Sequence, residues 1–317
     1  MHLYSTTYRT NIHKAAFART RGAFAALTAT LTLAALTLTA GCKPSAESDD
    51  AGLLGALGLA GLSSPVPYTL TFVPRAGSAT TVCSQNGSPA LYTIAGSAAA
   101  TLQDLRMYVH NVRLVKTDGS EVPLSLTNDG TWQYQNVALL DFEDATGNCN
   151  GTSETNTTLR GTAPRGTYAS VRFTIGVPES LNHSDVSAAD TPAPLNVSGM
   201  NWSWAVGRKF LRFEILNGAN TAVFHLGAQS CTGTPPNVTC ARSGRPEIEV
   251  PLTSSRTVTM DLQNLFGHAN WDISAGSASC HANPGSPAQC PDIFPRLGLD
   301  WADASADAAS QTVFGAL

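Results

Sequence analysis

The sequence predicts an all-β domain, specifically a disulfide-stapled β-sandwich with short helical turns and long loops. Segments in which apolar and polar residues alternate recur along the chain, for example "YTLTFVP" at 68–74 and "TYASVRFTIGVP" at 167–178. Alternation with a period of two is typical of strands that bury one face. Gly, Pro and Asn separate these segments, and helical periodicity is rare. Only 13% of the residues are charged, about half the usual fraction, which is common in secreted β proteins.

Each predicted strand follows from its own pattern. The first places Tyr68, Leu70 and Phe72 on one face, and "RKFLRFEIL", "PEIEVPL" and "RTVTMDLQNL" repeat the alternation further along the chain. The segment "DLRMYVHNVRLV" at 104–115 is strand-like but mixed on both faces, as expected of a central strand. Residues 290–301 predict one short helical turn.

The N-terminal region predicts export. Residues 1–21 carry four basic residues and no acidic one, and the apolar stretch that follows ends in Thr-Ala-Gly-Cys42. This pattern predicts a lipoprotein-type signal peptide over residues 1–42, in which the Cys42 thiol is acylated and becomes the new N-terminus. An ordinary signal peptide and an anchor helix of marginal length are the alternatives.

The rest of the chain divides by composition into three parts. Residues 43–66 predict a flexible tether, 67–301 one β-sandwich domain, and 302–317 a loosely ordered tail. The net charge is −4, and basic residues do not cluster with aromatic ones. Nucleic acid is therefore not an expected partner.

Six cysteines remain after Cys42, and an even number in an exported chain predicts disulfides. The spacing favours the local pairs Cys231–Cys240 and Cys280–Cys290, which leaves Cys83 and Cys149 as a long-range pair. The sequence alone leaves the connectivity open. Because the chain has no C-x-x-C motif, thiolate ligation of a metal is the weaker interpretation.

The common enzyme signatures are absent from the sequence, including G-x-S-x-G, H-E-x-x-H, G-x-G-x-x-G and the Walker loop. The acidic run "LLDFEDATGNCNGTSE" at 139–154 offers enough side-chain oxygens for a calcium site, but its spacing does not match an EF-hand. A solvated turn held by Cys149 is the simpler interpretation of this run.

Histidines are the stronger candidates for ligands. His110 and His225 lie within apolar strand segments, and His183 lies in a loop directly after another. A histidine in a β core usually bonds a neighbouring carbonyl, but imidazole is also the commonest ligand for copper and zinc. His268 and His281 lie in loops rich in Gly, Asn and Ser, and we rank them lower.

Trp202 and Trp204 stand two residues apart and therefore share one face if the segment is a strand. Paired indoles on a strand usually pack in the core. A carbohydrate- or cell-surface-binding role for exposed tryptophans is the alternative function that the sequence leaves open.

Several long blocks of the chain resemble the MbnP-like proteins, the four-Cys half of a "metallo-mystery pair". The blocks span roughly residues 100–300 and include "LRMYVHNVRLV", "WQYQNVALLDFEDATGNCNGT", "FTIGVPESLNHSD", "PLNVSGMNWSWAVGRKFLRFEI", "FHLGAQSC" and "CPDIFPRLGL". The resemblance implies a copper-binding protein of the periplasm or cell surface, anchored to the outer membrane, that has no catalytic activity of its own. It also implies a partner, a di-haem protein of the cytochrome c peroxidase/MauG type, that oxidises a tryptophan to kynurenine.

The resemblance also assigns individual residues. His110 matches the family's "YVH" strand, His183 its "NH" loop and His225 its "FHLG" strand, so these three are the expected copper ligands. Trp202 and Trp204 match its W-S-W and are the candidates for oxidation, in preference to Trp132, which we expect to pack. Arg208, which stands where the family often has an aromatic residue, and Lys209 are expected to help dock the haem partner.

Overall fold

A computed structural model describes residues 64–81, 83, 101–203, 205–266, 273, 276–283 and 290–317. All of them belong to the unit that covers residues 51–317. Cys42, the predicted signal peptide, nearly all of the predicted tether, Trp204 and His268 lie outside the described residues. No helix in the part of the chain that the structure describes is long and apolar enough to cross a bilayer.

Strands dominate the described chain. In order they are β1 (Val66–Ala76), β2 (Ala79–Thr80), β3 (Thr101–Val115), β4 (Glu121–Pro123), β5 (Ser125–Leu126), β6 (Gln133–Tyr134), β7 (Val137–Asp141), β8 (Thr158–Ala163), β9 (Ser170–Ile175), β10 (Asn201–Ser203), β11 (Gly207–Arg208), β12 (Leu211–Asn217), β13 (Asn220–Leu226), β14 (Gln229–Thr234), β15 (Asn237–Arg242), β16 (Glu247–Pro251), β17 (Thr257–Asp261), β18 (Ala278–Cys280) and β19 (Phe314–Ala316). The helices α1 (Glu179–Asn182), α2 (Leu262–Phe266) and α3 (Cys290–Ile293) are short, as are the 3-10 turns Ser198–Met200, Pro295–Leu297 and Ala308–Ser310.

Two larger sheets carry the fold, which confirms the predicted all-β sandwich. The smaller of them has the order β19-β17-β1-β8-β5, and β2 also pairs with β1. The larger has the order β16-β9-β3-β12-β13-β18. In the larger sheet β4 and β7 also pair with β3, and β6 pairs with β7. β10–β11 and β14–β15 form separate two-stranded ribbons. Most neighbours are antiparallel, but β1 runs parallel to β17 and β13 runs parallel to β18.

The two sheets meet through apolar residues that the alternation predicted. Tyr68, Leu70 and Phe72 of β1 are all buried. The ring of Phe72 meets that of Phe173 from the larger sheet edge to face, with centroids 5.5 Å apart. Aromatic pairs in this arrangement add stability beyond the area that they bury. Trp132 packs against the same core, as expected.

β3 is the central strand that its mixed pattern predicted. It pairs with β12 through its first half and with β7 and β9 through its second half. The register with β9 shifts between His110 and Arg113, where Asn111 has a φ of 52°. Asn tolerates this left-handed conformation better than most residues, so the strand can carry a bulge directly beside His110.

The C-terminal segment differs from the prediction of a loosely ordered tail over residues 302–317. β19 pairs antiparallel with β17, and the amide of Asp261 donates to the carbonyl of Val313 at 2.8 Å. Val313 and Phe314 are buried, and the ring of Phe314 contacts Phe173. The polar composition of residues 302–312 concealed this apolar anchor.

All three disulfides that the cysteine spacing favoured are present. They join Cys83 to Cys149, Cys231 to Cys240 and Cys280 to Cys290. The first ties the end of the β1–β2 region to the acidic loop after β7, and the second links β14 to β15 across their ribbon. The third ties β18 to the start of α3, so it anchors a short strand that few ladder bonds hold.

Arg208 is completely buried, so its side chain is not a surface group that docks a partner. Its guanidinium donates to the carbonyls of Leu181, Asn182, Ser184 and Leu195, and its backbone amide donates to the side chain of Asn182. These acceptors all lie in the segment that runs from α1 to Leu195. Burial lowers the pKa of Arg208, although nearby Tyr108 opposes the shift. Arg208 therefore fastens the loop that carries His183 to the larger sheet.

We expect Arg208→Met to destabilise the domain by about 3 kcal/mol or more, because it leaves several buried carbonyls without a donor. Arg160→Met is the matched control, since Arg160 is exposed on β8, and its effect should stay within about 0.5 kcal/mol. Urea unfolding followed by far-ultraviolet circular dichroism measures both. Equal midpoints for the two variants would contradict the anchoring role.

Candidate metal centre

His225 is held on one face of the larger sheet by the register of three strands. Phe224, Phe213 and Leu105 are cross-strand neighbours that face the core. The next row, one residue along each strand, therefore points to the opposite face. That row contains His225, Arg212 and Arg106.

Four charged residues beneath His225 form what we call the charged row: Asp104, Arg106, Arg212 and Glu214. Arg212 donates to both carboxylate oxygens of Glu214, at 2.7 and 3.0 Å, and reaches Asp104 at 3.0 Å. Arg106 binds the same Asp104 through its Nε at 2.9 Å and through a second, shorter contact. Asp104 is fully buried, and burial raises its pKa although both arginines oppose the shift. These paired contacts leave Glu214 little freedom to move.

Glu214 determines which nitrogen of His225 is available. Its Oε1 lies 2.7 Å from Nε2 of His225, and because a carboxylate only accepts, Nε2 carries the hydrogen. In a neutral ring Nδ1 then has the lone pair. Nδ1 is buried and has no hydrogen-bond partner among the described residues. A buried acceptor with no partner among the described side chains is available to bind a ligand.

The pKa of His225 is shifted in the direction that favours a neutral imidazole, whereas the ionised Glu214 opposes that shift. Burial lowers the pKa of His225 to about 4, and its hydrogen bond to Glu214 opposes only part of the shift. Burial alone would raise the pKa of Glu214, but the hydrogen bonds from His225 and Arg212 outweigh it and lower the pKa to about 2. A metal ligand must be unprotonated, so the site is ready to bind at neutral pH.

His281 lies directly beside His225 because of the parallel pairing of β13 with β18. Phe224 is opposite Cys280 in this ladder, so the residues that follow them come next to each other. The two imidazole rings meet edge to face with centroids 4.9 Å apart. Burial, and then the positive charge of Lys209, lower the pKa of His281 as well. The structure thus adds a second neutral imidazole to the site.

Trp202 completes the described part of this cluster. It lies in β10, with its ring centroid 6.2 Å from that of His225. The ring packs closely over Gly227, where a Cβ atom would come within 2.4 Å of it. Lys209 lies at the same site, half-buried, with its Nζ donating to the carbonyl of Gly199. Trp202, His225 and His281 therefore form the candidate metal centre.

The other two predicted ligands have different neighbours. His110 is buried, and its Nδ1 donates to the carbonyl of Gly176 at 2.8 Å. His183 has Nε2 within 3.1 Å of the Asn182 amide, 3.3 Å of Glu179 Oε1 and 3.4 Å of Cys240 Sγ. His225 alone of the three predicted histidines lies in the cluster with His281. Sequence analysis ranked His281 low because the loop-like composition around it does not reveal the pairing of β18 with β13.

In the acidic loop after β7, the carboxylates accept hydrogen bonds from other residues of the same loop. Glu143 is buried and accepts from the backbone amides of Ala145 and Thr152, and Asp144 accepts from Thr146. Burial raises the pKa of Asp141 to about 7. These contacts favour the turn held by Cys149 over the calcium site.

Comparison with known proteins gives one family. Residues 65–282 match the sequence profile of the MbnP family. The solved structure of MbnP from Methylosinus trichosporium superposes with a TM-score of 0.65 at 33% sequence identity, covering 78% of this chain and 94% of that one. No curated protein sequence matches the chain significantly.

His110 allows the effect of burial on a histidine pKa to be tested outside the candidate metal centre. Burial lowers its pKa to about 4 from an ordinary value of 6.5, although the hydrogen bond to Gly176 opposes the shift. As the pH falls from 6.5 to 4, the imidazole of His110 therefore takes up a proton in the unfolded chain but stays neutral in the native state. The stability from this group is complete above pH 6.5 and is lost towards pH 4.

We expect wild type to lose more stability than His110→Asn between pH 6.5 and pH 4, by up to about 3 kcal/mol. Asp141 acts in the opposite direction, because its raised pKa favours the native state at low pH, but it is common to both proteins and cancels. Urea unfolding across this pH range measures the difference. An NMR titration that places the His110 pKa near 6.5 would show the prediction to be wrong.

Proposed function

Because the chain belongs to the MbnP family, we propose that it binds one copper ion in the bacterial envelope and takes part in copper handling. The chain acts in this proposal by binding, with no catalytic step of its own. The observation that carries the proposal is the buried Nδ1 of His225, which has no hydrogen-bond partner within the described part of the chain.

The residues around that nitrogen fit copper. Imidazole nitrogens suit both common oxidation states of the metal, and two neutral imidazoles from His225 and His281 already lie side by side. Glu214 orients His225 through Nε2, the arrangement by which a carboxylate fixes a ligating imidazole and strengthens it as a donor. The positive charge of Lys209 adds to the effect of burial in lowering the pKa of both imidazoles. Burial, followed by repulsion from Arg212, lowers the pKa of Lys209 itself.

Trp202 is the residue that we propose for oxidation to kynurenine. An intact indole has no lone pair in its ring plane to offer a metal, whereas opening the five-membered ring leaves an aniline nitrogen and a ketone. Trp202 lies close enough to His225 for such a group to join the imidazoles in one site. The oxidising equivalents would come from a di-haem protein of the MauG type, the partner that we propose.

The location of this chemistry follows from the N-terminal sequence. A lipoprotein-type signal that ends at Cys42 would place the domain in the periplasm or at the cell surface, anchored to the outer membrane. The three disulfides of the domain suit the same oxidising compartment. A haem partner secreted to this compartment could reach the domain there.

We expect His225→Ala and His281→Ala each to weaken copper binding by about 100-fold or more, since each removes a proposed ligand. His110→Asn is the matched control and should bind as wild type does, because its imidazole bonds the Gly176 carbonyl. Competition titration with a copper-specific chelator measures the affinities. Wild-type affinity in His225→Ala would refute the site.

We expect protein from its native host to carry kynurenine at Trp202. Tryptic peptides would then show the exchange of one carbon atom for one oxygen atom at this residue and an unmodified Trp132, which packs against the core. Tandem mass spectrometry locates the change. If Trp202 is unmodified and another tryptophan is oxidised, the assignment to Trp202 is wrong. If no tryptophan is oxidised, the proposed kynurenine is absent.

A further inference from the structure

We propose that His183, Cys231 and Cys240 form a second metal site, which takes a thiophilic d10 cation such as zinc(II) or copper(I) when the Cys231–Cys240 disulfide is reduced. This site shares no residue with the cluster of Trp202, His225 and His281. The proposal therefore stands independently of the function proposed above.

The donor atoms are already gathered. Nε2 of His183 and the two sulfurs all lie within 4.8 Å of one another, and Nε2 is 3.4 Å from Cys240 Sγ. One ion bound by two thiolates and an imidazole needs little more than this spacing, because metal–sulfur and metal–nitrogen bonds of zinc are about 2.3 and 2.0 Å long. On reduction the two sulfurs move apart from bonding distance, and only small side-chain movements are then needed for the three donors to enclose an ion.

The ribbon keeps the two sulfurs together after reduction. Cys231 and Cys240 are directly opposite in the antiparallel pairing of β14 with β15, with Cα atoms 3.8 Å apart. Pairing continues on both sides, from Gln229–Arg242 to Thr234–Asn237. This backbone ladder does not depend on the covalent bond, so reduction leaves a preformed pair of thiols.

His183 is held in place from the other side. Arg208 bonds the carbonyls around it, and Asn182, which contacts its Nε2, is fully buried. Glu179 contributes an oxygen 3.3 Å from the same Nε2, and Arg245 holds the other carboxylate oxygen at 2.6 Å. The two sulfurs and the imidazole nitrogen make a three-donor set, and a d10 cation held by three protein ligands takes its fourth from water.

Access distinguishes this disulfide from the other two. Cys231 and Cys240 are both partly exposed, whereas Cys83, Cys149, Cys280 and Cys290 are buried. A cleft of about 340 Å³, lined by Glu179, Ser180, His183, Ser184, Pro235 and Pro236, opens on the His183 side. A reductant and a hydrated ion can therefore reach this site directly from solvent.

The redox step is a thiol–disulfide exchange. A thiolate of a dithiol reductant attacks one sulfur of the Cys231–Cys240 bond, which breaks and leaves a mixed disulfide. This attack releases the other cysteine as a thiolate. The second thiol of the reductant then attacks the mixed disulfide, which releases the remaining cysteine and leaves the reductant as a disulfide. Cys231 and Cys240 gain two electrons and two protons in total, and metal binding displaces the two protons.

Cadmium is the probe that tests the site, because cadmium bound to thiolate has a charge-transfer absorption that imidazole ligands do not produce. The full chain is treated with one equivalent of a phosphine reductant, and alkylation with mass spectrometry identifies which cysteines are released. We expect Cys231 and Cys240 first, followed by binding of one cadmium ion per chain with the thiolate absorption. The oxidised chain should show none.

Three variants separate this site from its alternatives. Cys231→Ser/Cys240→Ser should abolish the absorption, and His183→Gln should weaken cadmium binding by about tenfold or more. Asp144→Asn is the matched control, since Asp144 lies in a similar group with the buried Cys83–Cys149 bridge, and it should leave binding unchanged.

Two results would overturn the proposal. One is the release of buried cysteines before Cys231 and Cys240, because the exposed disulfide would then not be the reducible one. The other is cadmium binding in His183→Gln equal to wild type, which would leave a bare dithiol and no three-residue site. If the double serine variant does not fold, the His183→Gln comparison and the alkylation order decide the question.

Discussion

The pairing of buried charges on the outer face of the larger sheet is the constraint on which the candidate metal centre depends. Asp104 and Glu214 have lost most of their hydration, and Arg106 and Arg212 replace it with bonds in fixed directions. Removing one member would leave its partner charged and buried, which typically costs several kcal/mol. The charged row therefore behaves as one rigid unit. Glu214 is part of that unit, so charged residues of two strands, β3 and β12, determine the orientation of His225 on β13.

The domain places two very different groups of donor atoms on one scaffold. The cluster at His225 offers the buried imidazole of His225, held by a fixed carboxylate, beside the exposed imidazole of His281. The cluster at His183 offers sulfur and imidazole near solvent, with the sulfurs joined in a disulfide. Ligand softness and redox state would thus select different ions, or the same ion under different conditions, at the two sites.

The sequence predicted well those features that depend on local pattern. Alternation identified β1, β9, β12, β16 and β17, and the cysteine spacing identified the bridges. Features created by non-local pairing were harder to predict. His281 reaches His225 only through a parallel ladder between residues more than 50 positions apart in the chain, which no local pattern encodes. Arg208 was expected on the surface because arginine usually lies there, but a cage of backbone carbonyls can bury a guanidinium without a carboxylate. The burial of Phe314 was not predicted, because the residues before it are mostly polar and only a short apolar stretch follows them.

The short β18 strand has a consequence for when the proposed copper site can form. Three residues pair with β13, and the Cys280–Cys290 bridge and a hydrogen bond from Gln229 to the carbonyl of His281 add further restraints. The bridge therefore helps to set the effective concentration of one imidazole beside the other. A newly made chain whose cysteines are still reduced would offer a metal one well-placed imidazole and one poorly placed imidazole. Under the proposed export and copper binding, metal acquisition would follow oxidation, and the chain would cross the cytoplasm as a poor competitor for the metal.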